Sequence, residues 1–146
     1  MRIIMDSNSL IQSSTSENIT GTIYFDFGKC QFPSEDWDDF VSVVLDWWMR
    51  EINSAINNSN HFNKSFKLLF MDGPYYIQCV FISENLIKMT CFENRTKDII
   101  RFEEICSIYD LQNEVHCTIK KFVNAAYRQK IINGYVELLH RQVYPK

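Results

Sequence analysis

Residues that break regular structure are scarce in this chain: four glycines and three prolines among 146. That excludes a Gly/Pro-rich repeat or low-complexity segment and predicts regular elements joined by few irregular loops. A Gly-rich phosphate cradle ahead of a helix is absent. So is the Gly-x-Ser-x-Gly turn that presents a nucleophilic serine. Histidine is equally scarce. His61 falls in a polar stretch, and His116 and His140 fall on separate predicted helices beside apolar stripes. A hydrolytic triad needs nucleophile, imidazole and orienting acid together, and no motif here assembles them.

The five cysteines, at 30, 79, 91, 106 and 117, are odd in number, form no Cys-x-x-Cys pair and sit among apolar neighbours. They argue against a disulfide framework or a zinc site, and for buried thiols in a reducing cytoplasm. Asp36, Asp38 and Asp39 do not follow the alternating pattern of a calcium loop. We therefore expect no metal and no cofactor. No apolar run reaches the length of a membrane span, and the opening MRIIMDSNSLIQSSTSENITG holds none of signal-peptide length. The net charge of −3 disfavours general affinity for nucleic acid, which needs clustered Lys and Arg.

What is present is apolar mass. Hydrophobic residues make up 46% and aromatics 14%, enough for the core of one domain over residues 1–146. The polar residues 1–18 read as a mobile lead-in. Residues 19–27, ITGTIYFDF, alternate and are rich in β-branched and aromatic types, the mark of a strand. The segment SEDWDDFVSVVLDWW, residues 34–48, then carries four carboxylates in five residues and all three tryptophans. Ser34 is a good N-cap, and acids behind it favour the positive end of a helix dipole. The spacing of Trp37, Phe40, Val41, Val44, Trp48, Ile52 and Ile56 predicts a helix over about 34–57, with Val43 and Trp47 widening its buried face.

After a polar loop at 57–65, strands are predicted at 66–71, 75–83 and 86–93. Their links are short enough for antiparallel hairpins. Residues 97–105 read as a final strand or as an extended approach to a helix. Two apolar stripes follow, Ile108 to Ala126 and Ile132 to Val143, with Asn133-Gly134 as the expected break. The expected class is α+β: an antiparallel sheet of about four to five strands against a long N-terminal helix and two C-terminal helices.

Charge is divided along the chain. Residues 17–46 hold seven carboxylates against Lys29 alone, whereas residues 110–146 hold six cations against three acids. Such asymmetry favours oriented association with a charged partner. Ordinary solvated helix ends are the alternative. Asp72-Gly73-Pro74-Tyr75 fixes a tight turn and presents an acid and an aromatic together. It reads either as a plain hairpin link or as a contact loop of the kind found at binding hot spots.

The order FDFGKCQFP, DWDDFVSVVLDWW, FMDGPYYI and two C-terminal helices resembles small bacterial immunity proteins. These are the antidotes of contact-dependent growth inhibition and other polymorphic toxin systems. The likeness covers residues 22–128 and is strongest at 25–48 and 70–77. It implies a non-enzymatic cytoplasmic inhibitor, favoured as a monomer, whose partner is the C-terminal toxin domain of a large exported protein. The first candidate for that toxin is a nuclease, an RNase, with a basic cleft. Glu35, Asp36, Asp38, Asp39, Asp72 and Tyr75 are the expected partner-binding residues. The rival readings are a small Cys/His-dependent hydrolase and a self-associating adaptor domain.

Overall fold

The computed structural model describes residues 1–58 and 64–146. His61 and most of the loop predicted at 57–65 lie outside the described residues. The fold is α+β, with two antiparallel sheets and three helices. The long first helix and the two C-terminal helices are present as expected.

The first sheet is organised by β3 (Ile19–Asp26). Its alternation places Ile19, Gly21, Ile23 and Phe25 in the core and turns Thr20, Thr22, Tyr24 and Asp26 outward. β1 (Arg2–Met5), β2 (Ile11–Gln12), β4 (Gln31–Phe32) and β5 (Asp38–Phe40) all pair with it. Phe25 faces both Ile3 and Phe32, and Thr20 faces both Ile11 and Phe40, so β3 is flanked on both edges.

Residues 2–5 and 11–12 are therefore strands of the sheet, joined through a 3-10 turn at Ser7–Ser9, which corrects the expectation of a mobile lead-in. The C-terminal helices fasten them. The N–H of Ile3 donates to Glu114 Oε1 at 2.8 Å, and Gln129 Nε2 donates to the Ser7 carbonyl at 2.7 Å. Of the apolar residues in this segment, Ile3, Met5 and Leu10 reach the core.

The second sheet is a meander of β6 (Ser65–Leu69), β7 (Tyr75–Phe81), β8 (Leu86–Asn94) and β9 (Asp98–Ser107), in that order. Residues 97–105 thus resolve as a strand. Helix α1 (Val41–Asn57) lies against both sheets. Trp48, fully buried, meets Phe25 of β3 at 5.1 Å and Phe70 at 5.3 Å between ring centroids. Its indole N–H donates to the Leu69 carbonyl at 2.8 Å, which satisfies the one polar atom the ring brings inside.

Helices α2 (Ile108–Arg128) and α3 (Gly134–Val143) close the other side. The break between them falls where expected, but by a different device. Lys130 takes the left-handed conformation at φ 59, and Ile131 N–H bonds back to the Ala126 carbonyl. Gly134 instead opens α3, where a Cβ would stand 3.1 Å from Glu17 Oε2; the Gly134 N–H donates to Glu17 Oε1. Among the described residues no helix is long and apolar enough to cross a membrane.

Phe25 touches Phe27, Trp48 and Phe70, so it joins the first sheet to α1 and to the end of β6. Truncation by Phe25→Ala is expected to destabilise the fold by about 3–5 kcal/mol. Urea unfolding checks this; a loss below about 1 kcal/mol contradicts the assignment of Phe25 as the joint.

Candidate partner-binding surface

The acidic stretch does not open the helix. After a cis Phe32–Pro33 bond the chain turns through residues 34–37 and returns to β3 as β5. Trp37 N–H bonds to the Ser34 carbonyl, and Ile23 N–H bonds to the Trp37 carbonyl. Helix α1 begins only at Val41, with Phe40 as its N-cap and no side-chain cap, so Ser34 caps nothing. The cap and dipole signals are local and worth about 1 kcal/mol each. The free flank of β3 at Thr20–Thr22 needs hydrogen-bond partners, and β5 supplies them.

This change decides where each acid goes. Asp38 points to solvent and accepts from Thr22 Oγ1 at 3.1 Å. Asp39 points inward and is 2% exposed. Its Oδ2 accepts from the Trp37 indole at 3.0 Å and from the Asp72 N–H at 3.3 Å, and its Oδ1 accepts from the Phe40 N–H at 2.7 Å. Burial pushes its carboxyl above the ordinary value. The three N–H donors pull it back, and the nearby Asp72 charge adds to the rise. Asp39 is thus a tie between two loops, which corrects its assignment as a partner contact.

The tie brings the two predicted motifs together. Gly73 has φ +71, and a Cβ there would lie 2.7 Å from Trp37 Cη2, so the tryptophan ring rests on the glycine. Tyr75 stands edge-on to Trp37 at 5.0 Å and to Phe32 at 5.7 Å. It is half-buried and its phenol is engaged by Arg95, so it serves as a wall of the loop. Asp72 is exposed one residue from this contact, with Oδ1 accepting from the Gly73 N–H.

Glu35 and Asp36 are exposed on the turn that precedes β5. Both act on Tyr24, whose hydroxyl is raised first by burial and then by Glu35, Asp26 and Asp36, with Arg2 opposing. Asp26 is held below the ordinary carboxylate value by the Gly28 N–H and the Gln31 amide. The surface therefore contains Asp26, Glu35, Asp36, Asp38 and Asp72 around Tyr24 and Trp37. Tyr24 and Asp26 were legible as outward positions of the 19–27 strand. Trp37 was misassigned to a helix face. Among the described residues no group of three or more His, Cys, Asp or Glu is arranged to hold a metal ion.

The thiols lie elsewhere. Cys79 and Cys91 are fully buried and burial raises both well above the ordinary thiol value, while Cys106 is pushed up to about 11. His116 is lowered by burial and by Lys120. His140 lies between the rings of Tyr127 and Tyr144. The exposed cations Lys121, Arg128, Lys130, Arg141 and Lys146 lie on and around α2 and α3. Comparisons with protein-family models, with curated proteins and with solved structures found no match.

A carboxyl raised in the folded state from 3.8 contributes stability that is complete below that value and is lost as pH climbs through the folded value. Asp39→Asn removes this component. Urea midpoints from about pH 3.5 to about pH 7 should show the wild-type advantage over the variant shrinking as pH rises. An advantage that grows with pH contradicts the raised carboxyl.

Proposed function

We propose that this chain is an immunity protein that binds and neutralises a cognate toxin domain in the cytoplasm of the producing cell. The observation that carries the reading is the set of exposed carboxylates fixed around Trp37 by Asp39. Glu35, Asp36, Asp38 and Asp72 project from two loops that are tied to each other. A preorganised acidic surface loses little ordering entropy on binding, and it steers a basic partner from a distance. A nuclease offers such a partner, because its cleft must hold phosphates. The resemblance to immunity proteins supplies the class of partner, and the charge distribution supplies its sign.

In this reading the inhibitor works by occupation. The carboxylates take the place of substrate phosphates against the toxin's cations, and Trp37 with Tyr24 provides the aromatic area common at binding hot spots. Tyr75 and Asp39 position the surface from behind. No chemistry is required of the inhibitor. The raised thiols of Cys79, Cys91 and Cys106 fit this role better than nucleophilic catalysis, which draws on a lowered thiol value.

The proposal predicts that a neighbouring reading frame encodes a large exported protein, and the test is to mix the purified protein with that protein's C-terminal domain. A stoichiometric complex without toxin activity is expected. The double reversal Asp36→Lys with Asp38→Lys should weaken binding tenfold or more, about 1.4 kcal/mol, and flatten its salt dependence. A toxin left active by excess protein contradicts the proposal, and unchanged affinity in the double variant places the contact on another face.

A further inference from the structure

The second sheet has one covered side and one open side. Its pairing sets side chains in rows across all four strands. On the inward side Phe66, Leu68, Ile77, Cys79, Ile87 and Met89 are buried. On the outward side Leu69 is 45% exposed, and Ile100 and Ile105 are each 55% exposed. Between them Val80, Lys88 and Phe92 are half-buried.

The register gives three outward rows, read from β6 to β9. The first is Leu69, Tyr76, Phe92 and Ile100, apolar throughout, with the Tyr76 and Phe92 rings stacked at 5.0 Å. Arg101, the extra residue at the β9 bulge, keeps Ile100 on this side. The second row is Lys67, Gln78, Thr90 and Glu103, with opposite charges at its two ends. The third is Ser65, Val80, Lys88 and Ile105. Among the described residues Lys67, Lys88 and Glu103 form no ion pair. Lys67 rests over the Tyr76 ring at 4.8 Å and shares a cavity wall with Glu51 of α1.

A two-fold axis along the strands, between β7 and β8, lays this face on a second copy of itself. It puts β6 over β9 of the second copy and β7 over its β8, and each row falls on its own row. Leu69 then meets Ile100 and Tyr76 meets Phe92, apolar on apolar. Lys67 meets Glu103 at both ends of the second row. Like charges at those ends would repel under the same operation, so the order of signs favours a second copy over an unrelated apolar surface. Lys88 lies beside the axis and approaches its counterpart, which opposes the contact. Four strands about 4.8 Å apart and rows spanning about 20 Å give a footprint of roughly 400 Å² on each copy. The total, about 1,000 Å² once side-chain relief is included, is at the low end for a specific contact.

We propose that the outward face of β6–β9 joins two copies of this chain into a weak two-fold dimer, packed sheet on sheet with aligned strands. This goes beyond the acidic surface: the contact is a sheet face, the occupant is the chain itself, and a weak dimer replaces the expected monomer.

The test is sedimentation equilibrium of the full chain at low salt. Dimerisation with a Kd of about 10–100 µM is expected. Lys67→Glu and Glu103→Lys, both at exposed positions, should each weaken it at least tenfold. An equimolar mixture of the two variants should associate as tightly as the wild type, because each chain then meets the opposite charge at both ends. Glu51 is unchanged in both variants, so recovery on mixing reports the contact between copies. Should either variant fail to fold, Ile100→Arg serves instead, with association expected to fall at least tenfold. A wild-type chain that stays monomeric at about 1 mM, variants that associate like the wild type, or a mixture no tighter than its components overturns the proposal. None of these readouts requires the toxin, so the outcome stands apart from the test of the immunity role.

Discussion

The arrangement depends on one buried carboxylate. Asp39 accepts from the Trp37 indole, the Phe40 backbone and the Asp72 backbone. Through those three bonds it fixes the return of the chain to β3, the start of α1 and the turn between β6 and β7. A buried carboxylate is costly unless its lone pairs are used. Here backbone and indole N–H groups do that work, and among the described residues no basic side chain bonds to it. The consequence is specificity of placement: Trp37 is drawn onto Gly73, and the loops bearing Glu35, Asp36, Asp38 and Asp72 cannot move independently.

Around this point the molecule has two layers of different character. The interior is aromatic and continuous, from Phe32 and Phe70 through Trp48 and Phe25 to Phe27 and Phe102. Outside, exposed carboxylates gather on the loops beside β3, and exposed cations gather on and around α2 and α3, interspersed there with Asp110 and Glu137. The aromatic core and the Asp39 bonds hold the charged loops in place. A surface fixed in this way is suited to complementarity of charge and shape, the physical basis of the proposed immunity role.

Much of the fold was legible because its signals are local. Alternation in ITGTIYFDF, the hairpin links at Asp72-Gly73-Pro74 and Glu84-Asn85, and the two C-terminal stripes each state their element within a short window. The segment 34–40 was not legible, for a physical reason. Ser34 and the acids behind it carry real helix-start preferences, but the competing demand comes from β3, a strand whose two flanks both need partners. Residues 2–12 were missed because three side chains, Ile3, Met5 and Leu10, anchor them in the core, and their hydrogen bonds go to β3 and to distant Glu114 and Gln129. The end of α2 shows the same limit: Lys130 takes a conformation that glycine usually supplies, and nothing nearby in sequence marks it. Of the expected contact residues, the exposed acids stand as accessible groups. Asp39 is a support, because the strand register turns it inward, and Tyr75 is half-buried against Trp37.

The account is tested most directly by the footprint of the bound toxin domain in hydrogen–deuterium exchange. Protection concentrated at residues 34–38 and 71–75, with α2 and α3 unchanged, is the predicted result. A footprint on the cationic helices at 120–146, leaving the acidic loops to exchange as in the free protein, contradicts it.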